Sequence, residues 1–265
     1  MLFCYLMISG AAIPTQRAFV MTGIVFVAVL IDVIRASTTI VTLLDRGCSE
    51  VVLVGQRDRP RLAELRAKLD ALVCAEDASG LPTADADLTP SPAALHALDL
   101  AGRRVILATT NGTLAAELVR ECGVEHVLIG CMRNGDAVMR SAVALARRLD
   151  RSISLVCAGR EGSLIPALDD AYCAAALLRH GEALVRAAGA TVSLRESAKI
   201  ARNAASVFAG THEAFDQSMS AAVIRRIGSP DDVGYCAEEN VSQLAPVLTF
   251  STGIPAIVVK KETMG

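Results

Sequence analysis

The sequence VILATTNGTLAAELV at residues 105–119 decides the fold class. Its apolar beginning predicts a buried strand, its end predicts a helix, and the polar residues Thr109–Thr113 form the turn between them. The first turn of a helix has unpaired backbone N–H groups and a partial positive charge, so it can bind an anion. Thr, Asn and Gly also serve in ordinary helix caps. The turn therefore predicts either an anion site or a plain cap.

A second strand-to-helix turn carries charged residues. The apolar run at 24–31 ends in Asp32 and Arg35, and the hydroxyl residues Ser37 and Thr38 open the next helix. Arginine binds phosphate through two parallel hydrogen bonds, and aspartate is a hard oxygen ligand for Mg²⁺. The alternative is an Asp–Arg salt bridge beside a serine cap. We favour a site, because an apolar strand seldom ends in two charges without a use for them.

A third predicted strand, at 153–158, is followed by Arg160 and then by the acidic pair Asp169 and Asp170. Paired acids in the first turn of a helix also complement the helix dipole, which is the alternative interpretation. Ligands of parallel α/β sheets bind at the carboxyl ends of the strands, where all three turns are expected. Together the turns supply the carboxylates and anion donors needed for Mg²⁺-assisted phosphoryl chemistry on a small anion.

The composition limits the class of protein. The chain has 265 residues, of which 52% are hydrophobic and 3% aromatic, so a large aliphatic core is possible. Its net charge is −2, and it has no basic tract with interleaved aromatics, which argues against a nucleic-acid surface. The eight cysteines include no CxxC pair, which favours buried thiols in a reducing cytoplasm. No nucleotide-binding P-loop or G-x-S-x-G sequence is present.

Alternating apolar and helical segments predict an α/β fold, a layered sheet with crossover helices that is mostly parallel in the N-terminal half. Strands are expected at about 24–33, 50–55, 104–109, 126–131 and 153–158, with late strands at 247–248 and 256–259. Helices are expected at 36–46, 57–70, 113–122, 134–149 and 167–180, and again within 181–227. The segment 74–92 is expected to be a loop whose acids either complete a metal site or are solvated.

The order of these segments also predicts the domain organisation. Within residues 1–20, the segment 1–8 is apolar, but it lacks a positive n-region and is too short for a membrane span. We interpret residues 1–20 as an N-terminal extension that arises from start-site choice or forms a mobile arm. Residues 21–265 are then the α/β domain, either as one continuous fold or as two tightly packed lobes.

The three turns, in this order, resemble the motifs of the 2-phosphosulfolactate phosphatase (ComB-like) family. The matching pieces are IDVIRASTTIVTLLDRG, ATTNGTLA and AGREG followed by ALDD, with softer matches in SMSAAVIRRIG and DDVGYCAEENVSQLAPVL. The resemblance covers about residues 24–260. It implies Mg²⁺-dependent hydrolysis of 2-phosphosulfolactate to 3-sulfolactate and phosphate. This chain departs from the family pattern at Asp77, where an arginine is expected, and at Asp169, where a glutamate is usual.

The motifs and the resemblance together give a candidate site. The predicted catalytic residues are Asp32, Arg35 and Asp170. The predicted metal ligands, for Mg²⁺, are Asp32, Glu76, Asp169 and Asp170. The predicted substrate-binding residues are Ser37, Thr38, Thr110, Asn111, Gly112, Thr113 and Arg160.

The sequence is also compatible with two other functions. The altered 74–92 segment is compatible with a non-catalytic protein that binds an acidic phosphorylated metabolite. An isomerase or lyase on a similar sheet would instead retain the phosphate in its product. The expected partners are a small anionic substrate and a second copy of the chain, since the Ala-rich helices at 193–226 suit a dimer interface. We expect neither nucleic acid nor a membrane as a partner.

Overall fold

The computed structural model describes residues 2–7, 26–250 and 257–260. Its strands are β1 (Leu2–Met7), β2 (Phe26–Ile31), β3 (Glu50–Leu53), β4 (Ala71–Ala75), β5 (Arg104–Ala108), β6 (His126–Ile129), β7 (Ser152–Cys157), β8 (Val192–Leu194), β9 (Val247–Phe250) and β10 (Ile257–Lys260). Its helices are α1 (Ala36–Asp45), α2 (Leu62–Leu69), α3 (Pro92–Leu95), α4 (Gly112–Glu121), α5 (Gly135–Leu149), α6 (Leu168–Ala187), α7 (Glu196–Ala205), α8 (Thr211–Asp216), α9 (Met219–Arg226) and α10 (Asp231–Ala237). Short 3-10 helices at Arg59–Arg61 and Met132–Asn134 precede α2 and α5.

In these described ranges the strands form one ten-stranded sheet in the order β4-β5-β3-β10-β9-β6-β2-β7-β1-β8. The strands β4, β5 and β3 are parallel to one another, and so are β6, β2, β7, β1 and β8. The hairpin of β9 and β10 joins these two blocks with antiparallel pairings on both sides. The predicted α/β fold with a mostly parallel sheet is therefore confirmed, but its two parallel blocks run in opposite directions.

The hydrophobic core explains how the two blocks are held together. Alternate residues of β2 point to opposite faces of the sheet, so Val29 joins a core with α5 and α6, whereas Leu30 joins a core with α1 and α4. That second core also contains Val51 of β3 and Leu107 of β5, from the other block. Helices α1 and α4 therefore pack against residues of both blocks, and α1 is buried along Ala36–Leu44.

Several elements differ from the expectation. The strand β4 and the helix α3 lie at the two ends of a segment that was expected to be a loop, and the short β8 was not expected at all. The strand β1 pairs with β7 and β8, so Leu2–Met7 takes part in the sheet, while residues 8–20 lie outside the described part of the chain. These strands are three to six residues long, which is too short for periodicity to distinguish them from loops or helices.

The described residues contain no helix that is both long and apolar enough to cross a membrane. Six of the seven cysteines described with side chains are buried. These thiols behave as small apolar groups of the core.

Phe215 should be one of the side chains that contribute most to stability. It is fully buried on α8, with its ring edge-on to that of Tyr172 at 6.2 Å between centroids. We expect Phe215→Ala to lower the free energy of unfolding by roughly 3–5 kcal/mol in urea denaturation. Phe250→Ala is the control, since Phe250 is 38% exposed, and should cost less than about 1.5 kcal/mol. Equal losses for the two variants would contradict this packing.

Candidate active site

A cavity of about 240 Å³ lies beside the turns that follow β2, β5 and β7. These are the three turns predicted from the sequence. Predicted site residues that line it are Asp32, Arg35, Glu76, Thr110, Asn111, Arg160, Asp169 and Asp170. The remaining walls come from residues 78–80 and from Ser220, Val223 and Ile224, which lie on one face of α9.

The turns after β2 and β5 meet although their strands belong to opposite blocks. Gly112, at the start of α4, makes this possible. A Cβ atom at position 112 would lie 2.5 Å from the Cβ of Ala36 and 2.8 Å from Oδ2 of Asp32. Only glycine leaves room for α1 and α4 to approach so closely. Gly112 therefore allows the two turns to meet, but it is not itself among the residues that line the cavity.

The hydroxyls of Ser37, Thr38 and Thr113 do not line the cavity, which corrects their expected part as substrate ligands. Ser37 donates to the carbonyl of Asp32 at 2.8 Å, and Thr38 donates to the carbonyl of Val33 at 2.7 Å. Thr113 donates to the carbonyl of Thr109 at 2.6 Å. All three residues are buried, and a buried hydroxyl needs a hydrogen-bond partner. Their role is to hold the two turns in shape.

Three helices begin at the cavity: α1, α4 and α6. The residues before them, Arg35, Asn111 and Ala167, make no side-chain capping hydrogen bond. The positive ends of three helix dipoles thus converge on one place, which suits an anion. The first N–H groups of α1 and α4, those of Ala36 and Gly112, already act on the Asp32 carboxylate. The hydroxyl of Thr109, in the turn before α4, is buried without a hydrogen-bond partner among the described residues.

Asp170 joins the ends of β2 and β7. Its two carboxylate oxygens accept the backbone N–H groups of Val33 and Gly159, each at 2.9 Å. Burial raises the pKa of this carboxyl well above its usual value, and the nearby charges of Asp169 and Asp32 raise it further. Because both oxygens are occupied by the backbone, Asp170 is placed to hold the turns together.

Asp32 and Asp169 are carboxyl groups whose ionised form the protein leaves poorly compensated. Burial raises the pKa of Asp32 to about 7, and repulsion from Glu76 and Asp169 adds to the shift. Burial likewise raises the pKa of Asp169 to about 6, against the opposing effect of a 2.9 Å hydrogen bond from the Ser220 hydroxyl. A cation between these carboxylates would relieve both shifts.

The two arginines of the cavity have different surroundings. Arg35 is buried and donates to Asp232 at 2.8 Å, to Glu76 at 3.2 Å and to the carbonyl of Gly80 at 2.9 Å. The side chain of Arg160 is about a quarter exposed, and its nearest carboxylate oxygen, on Glu161, lies 3.9 Å away. Arg160 is therefore the more available of the two guanidinium groups for an incoming anion.

The family comparison fits this geometry. Residues 15–250 match the family model described as 2-phosphosulpholactate phosphatase. The chain belongs to the 2-phosphosulfolactate phosphatase family. A probable 2-phosphosulfolactate phosphatase of Deinococcus radiodurans is 34% identical over 87% of this chain and 90% of the relative. One of Thermus thermophilus is 30% identical over 89% of this chain and 92% of the relative. The 2-phosphosulfolactate phosphatase of Methanothermobacter thermautotrophicus is 30% identical over 83% of this chain and 85% of the relative.

Two contributors to the family site were not singled out from the sequence, although both lie within the softer motifs that resemble the family. Asp232 holds Arg35 from α10, and Ser220 contacts Asp169 from α9. Neither residue follows a strand, so the position of the strand ends gave no signal for them. The four-carboxylate metal set is also not preformed, because no group of three or more His, Cys, Asp or Glu side chains in the described ranges is arranged as a metal site.

The raised pKa of Asp32 makes stability depend on pH. The folded state holds this proton more tightly than the unfolded state, so the shift costs stability as pH rises from about 4 to about 7. We therefore expect Asp32→Asn, without divalent cations, to be more stable than the wild type at pH 8. The gain should be limited to roughly 1–3 kcal/mol, because Asp32 is partly exposed and solvent screens its charge. Near pH 4 the two proteins should be equally stable in urea denaturation with a chelator.

The control for this measurement is Asp77→Asn. Asp77 is exposed, and hydrogen bonds from Ser79 lower its pKa, so removal of its charge should slightly destabilise the protein at pH 8. If Asp32→Asn were as stable as the wild type at pH 8, the carboxylate would not be poorly compensated in the folded state.

Proposed function

We propose that this protein is a Mg²⁺-dependent phosphatase that hydrolyses 2-phosphosulfolactate to 3-sulfolactate and phosphate. The observation that carries this proposal is the pairing of Asp32 and Asp169, two poorly compensated carboxylates, with three helix N-termini at one cavity. The first feature suits a cation and the second an anion. The names of the relatives support the choice of substrate.

Asp32 and Asp169 are the residues that would hold Mg²⁺. This ion usually takes one or two carboxylates and completes its shell with water and substrate phosphate oxygens, so two carboxylates suffice. Asp170 would position them, since its oxygens are already bonded to the backbone. When bound, Mg²⁺ supplies charge neutralisation at the phosphate oxygens and makes a water more acidic.

The chain's own groups would hold the substrate. The N-termini of α4 and α6 and the Arg160 guanidinium would bind phosphate, carboxylate or sulfonate oxygens, and Thr109 offers an unused hydroxyl. A water molecule would attack the phosphorus directly. The D-x-D-x-T pattern of enzymes that form an aspartyl-phosphate is absent at Asp32, where the chain reads Asp-Val-Ile-Arg-Ala.

The departure from the family pattern at Asp77 does not add a negative charge to the cavity. The Asp77 carboxylate accepts hydrogen bonds within its own turn, from the backbone and hydroxyl of Ser79 at 2.8 and 2.6 Å and from the backbone of Leu81 at 3.1 Å. Asp77 is not among the residues that line the cavity. This removes the main argument for a non-catalytic binding protein. The dimer and the cytoplasmic location stay predictions.

Phosphate release tests the proposal directly. With 2-phosphosulfolactate and 2-phospholactate as substrates, we expect release in Mg²⁺ and none with a chelator. Asp169→Asn should lower kcat by roughly 100-fold, because the ion loses half of its carboxylate ligands. Asp85→Asn, which changes an exposed acid away from the cavity, is the control and should behave as the wild type.

The other outcomes of this assay are equally informative. Release that persists with the chelator would overturn the metal requirement. Substrate-induced thermal stabilisation without turnover would indicate a binding protein, and a product that retains its phosphate would indicate an isomerase or lyase.

Arg160 should contribute mainly to substrate affinity. We expect Arg160→Gln to raise KM about tenfold, because one charge-assisted hydrogen bond to the substrate is lost. The matched control is Arg57→Gln, since the side chain of Arg57 is 84% exposed and pairs with Glu121 on the surface. An unchanged KM in Arg160→Gln, measured by steady-state kinetics, would remove Arg160 from the substrate site.

A further inference from the structure

Asp232 is a fully buried carboxylate with three hydrogen-bond donors around it. Its Oδ2 accepts from the guanidinium of Arg35 at 2.8 Å, and its Oδ1 accepts from the hydroxyl of Ser91 at 2.6 Å and from the backbone N–H of Ala93 at 3.1 Å. It lies in the first turn of α10 and is not among the cavity-lining residues. Of the three donors, only Arg35 lines the cavity, so in the described part of the chain Asp232 is linked to the site through Arg35.

The guanidinium of Arg35 divides its bonds between two sides. One terminal nitrogen, NH1, points to Asp232, and the other, NH2, donates to Glu76 and to the carbonyl of Gly80. Glu76, Gly80 and Arg35 all line the cavity. The Arg35 charge at the cavity wall and the 78–80 segment are thus held together by one side chain, and Asp232 fixes that side chain from the side away from the cavity.

The anchor joins segments that are far apart in the sequence. Ser91 and Ala93 begin α3, Arg35 precedes α1, and Asp232 lies about 200 residues later in the chain. A planar guanidinium between two carboxylates has little freedom to rotate, because each terminal nitrogen has its own acceptor. Loss of the Asp232 charge leaves Arg35 free to turn toward Glu76 alone.

We propose that Asp232 is a positioning residue for the phosphatase reaction, which acts by fixing the Arg35 guanidinium and the 78–80 wall against the substrate. The proposal rests on the proposed function for the reaction, but the geometry it depends on is independent of the substrate's identity. Any anionic ligand at the cavity should be bound more weakly when Asp232 is neutral.

The main variant is Asp232→Asn, with Asp231→Asn as its matched control. Asp231 is an exposed acid in the same helical turn and does not line the cavity. For Asp232→Asn we expect KM to rise about tenfold and kcat/KM to fall roughly 10- to 100-fold, the effect of a misplaced charge-assisted contact. Asp231→Asn should keep wild-type KM and kcat. A variant that is merely less stable would lose active enzyme, so kcat would fall while KM stayed unchanged, and that result would overturn the proposal.

Double variants test whether Asp232 acts through Arg35. If it does, Arg35→Gln and the double variant Arg35→Gln with Asp232→Asn should have the same kcat/KM within about twofold. A further tenfold loss in the double variant would overturn the proposal. This comparison also serves if Asp232→Asn alone fails to fold, because the double variant leaves no unpaired charge between positions 35 and 232.

Binding of inorganic phosphate separates the two proposals. By calorimetry in Mg²⁺, we expect Asp232→Asn and Arg35→Gln each to weaken phosphate binding about tenfold, and Asp231→Asn to leave it unchanged. If the wild type binds phosphate with this pattern but releases none from any substrate, the proposed reaction fails and the positioning role stands. If Asp232→Asn binds phosphate as the wild type does, or if the wild type binds none, the positioning role fails.

Discussion

Helix α1 is buried from Ala36 to Leu44 and packs against residues of both blocks of the sheet, and the geometry of the cavity depends on that burial. A helix in this position can have no solvated face, so its polar side chains must find partners inside the protein. Ser37, Thr38 and Thr42 do so by donating to nearby carbonyls, and Thr39 donates to that of Pro90. The same burial places the N-terminus of α1 at the floor of the cavity.

The site gains its chemistry at a cost in stability. Asp32 and Asp169 share a small volume with Asp170, and burial raises the pKa of each carboxyl. Helix N-termini offset part of this cost, since the backbone N–H groups of Ala36 and Gly112 act on Asp32. A cation bound between the carboxylates would offset the rest of this cost by neutralising their charge. A stable apo protein could have placed apolar residues here, so the retained carboxylates point to function rather than to folding.

The cavity also depends on the C-terminal part of the chain. Helix α9 supplies one wall, with Ser220 bonded to Asp169, and α10 supplies the carboxylate that anchors Arg35. The β9–β10 hairpin lies between the two parallel blocks and joins them into one sheet. The turns after β2, β5 and β7 therefore bring the candidate site residues together, whereas later segments contact two of them, Asp169 and Arg35.

By itself, the sequence determined the α/β class, the main strands and helices, the family and the three polar turns. These features are local: apolar runs, helical periodicity and turn residues act over about 5 to 15 neighbouring positions. Only the tertiary structure decided the opposite directions of the two blocks, the inward hydroxyls of Ser37, Thr38 and Thr113, and the contact of Asp232 with Arg35. Those features depend on which distant segments pack together, and the direction in which a polar side chain points is set by that packing rather than by its neighbours in the chain.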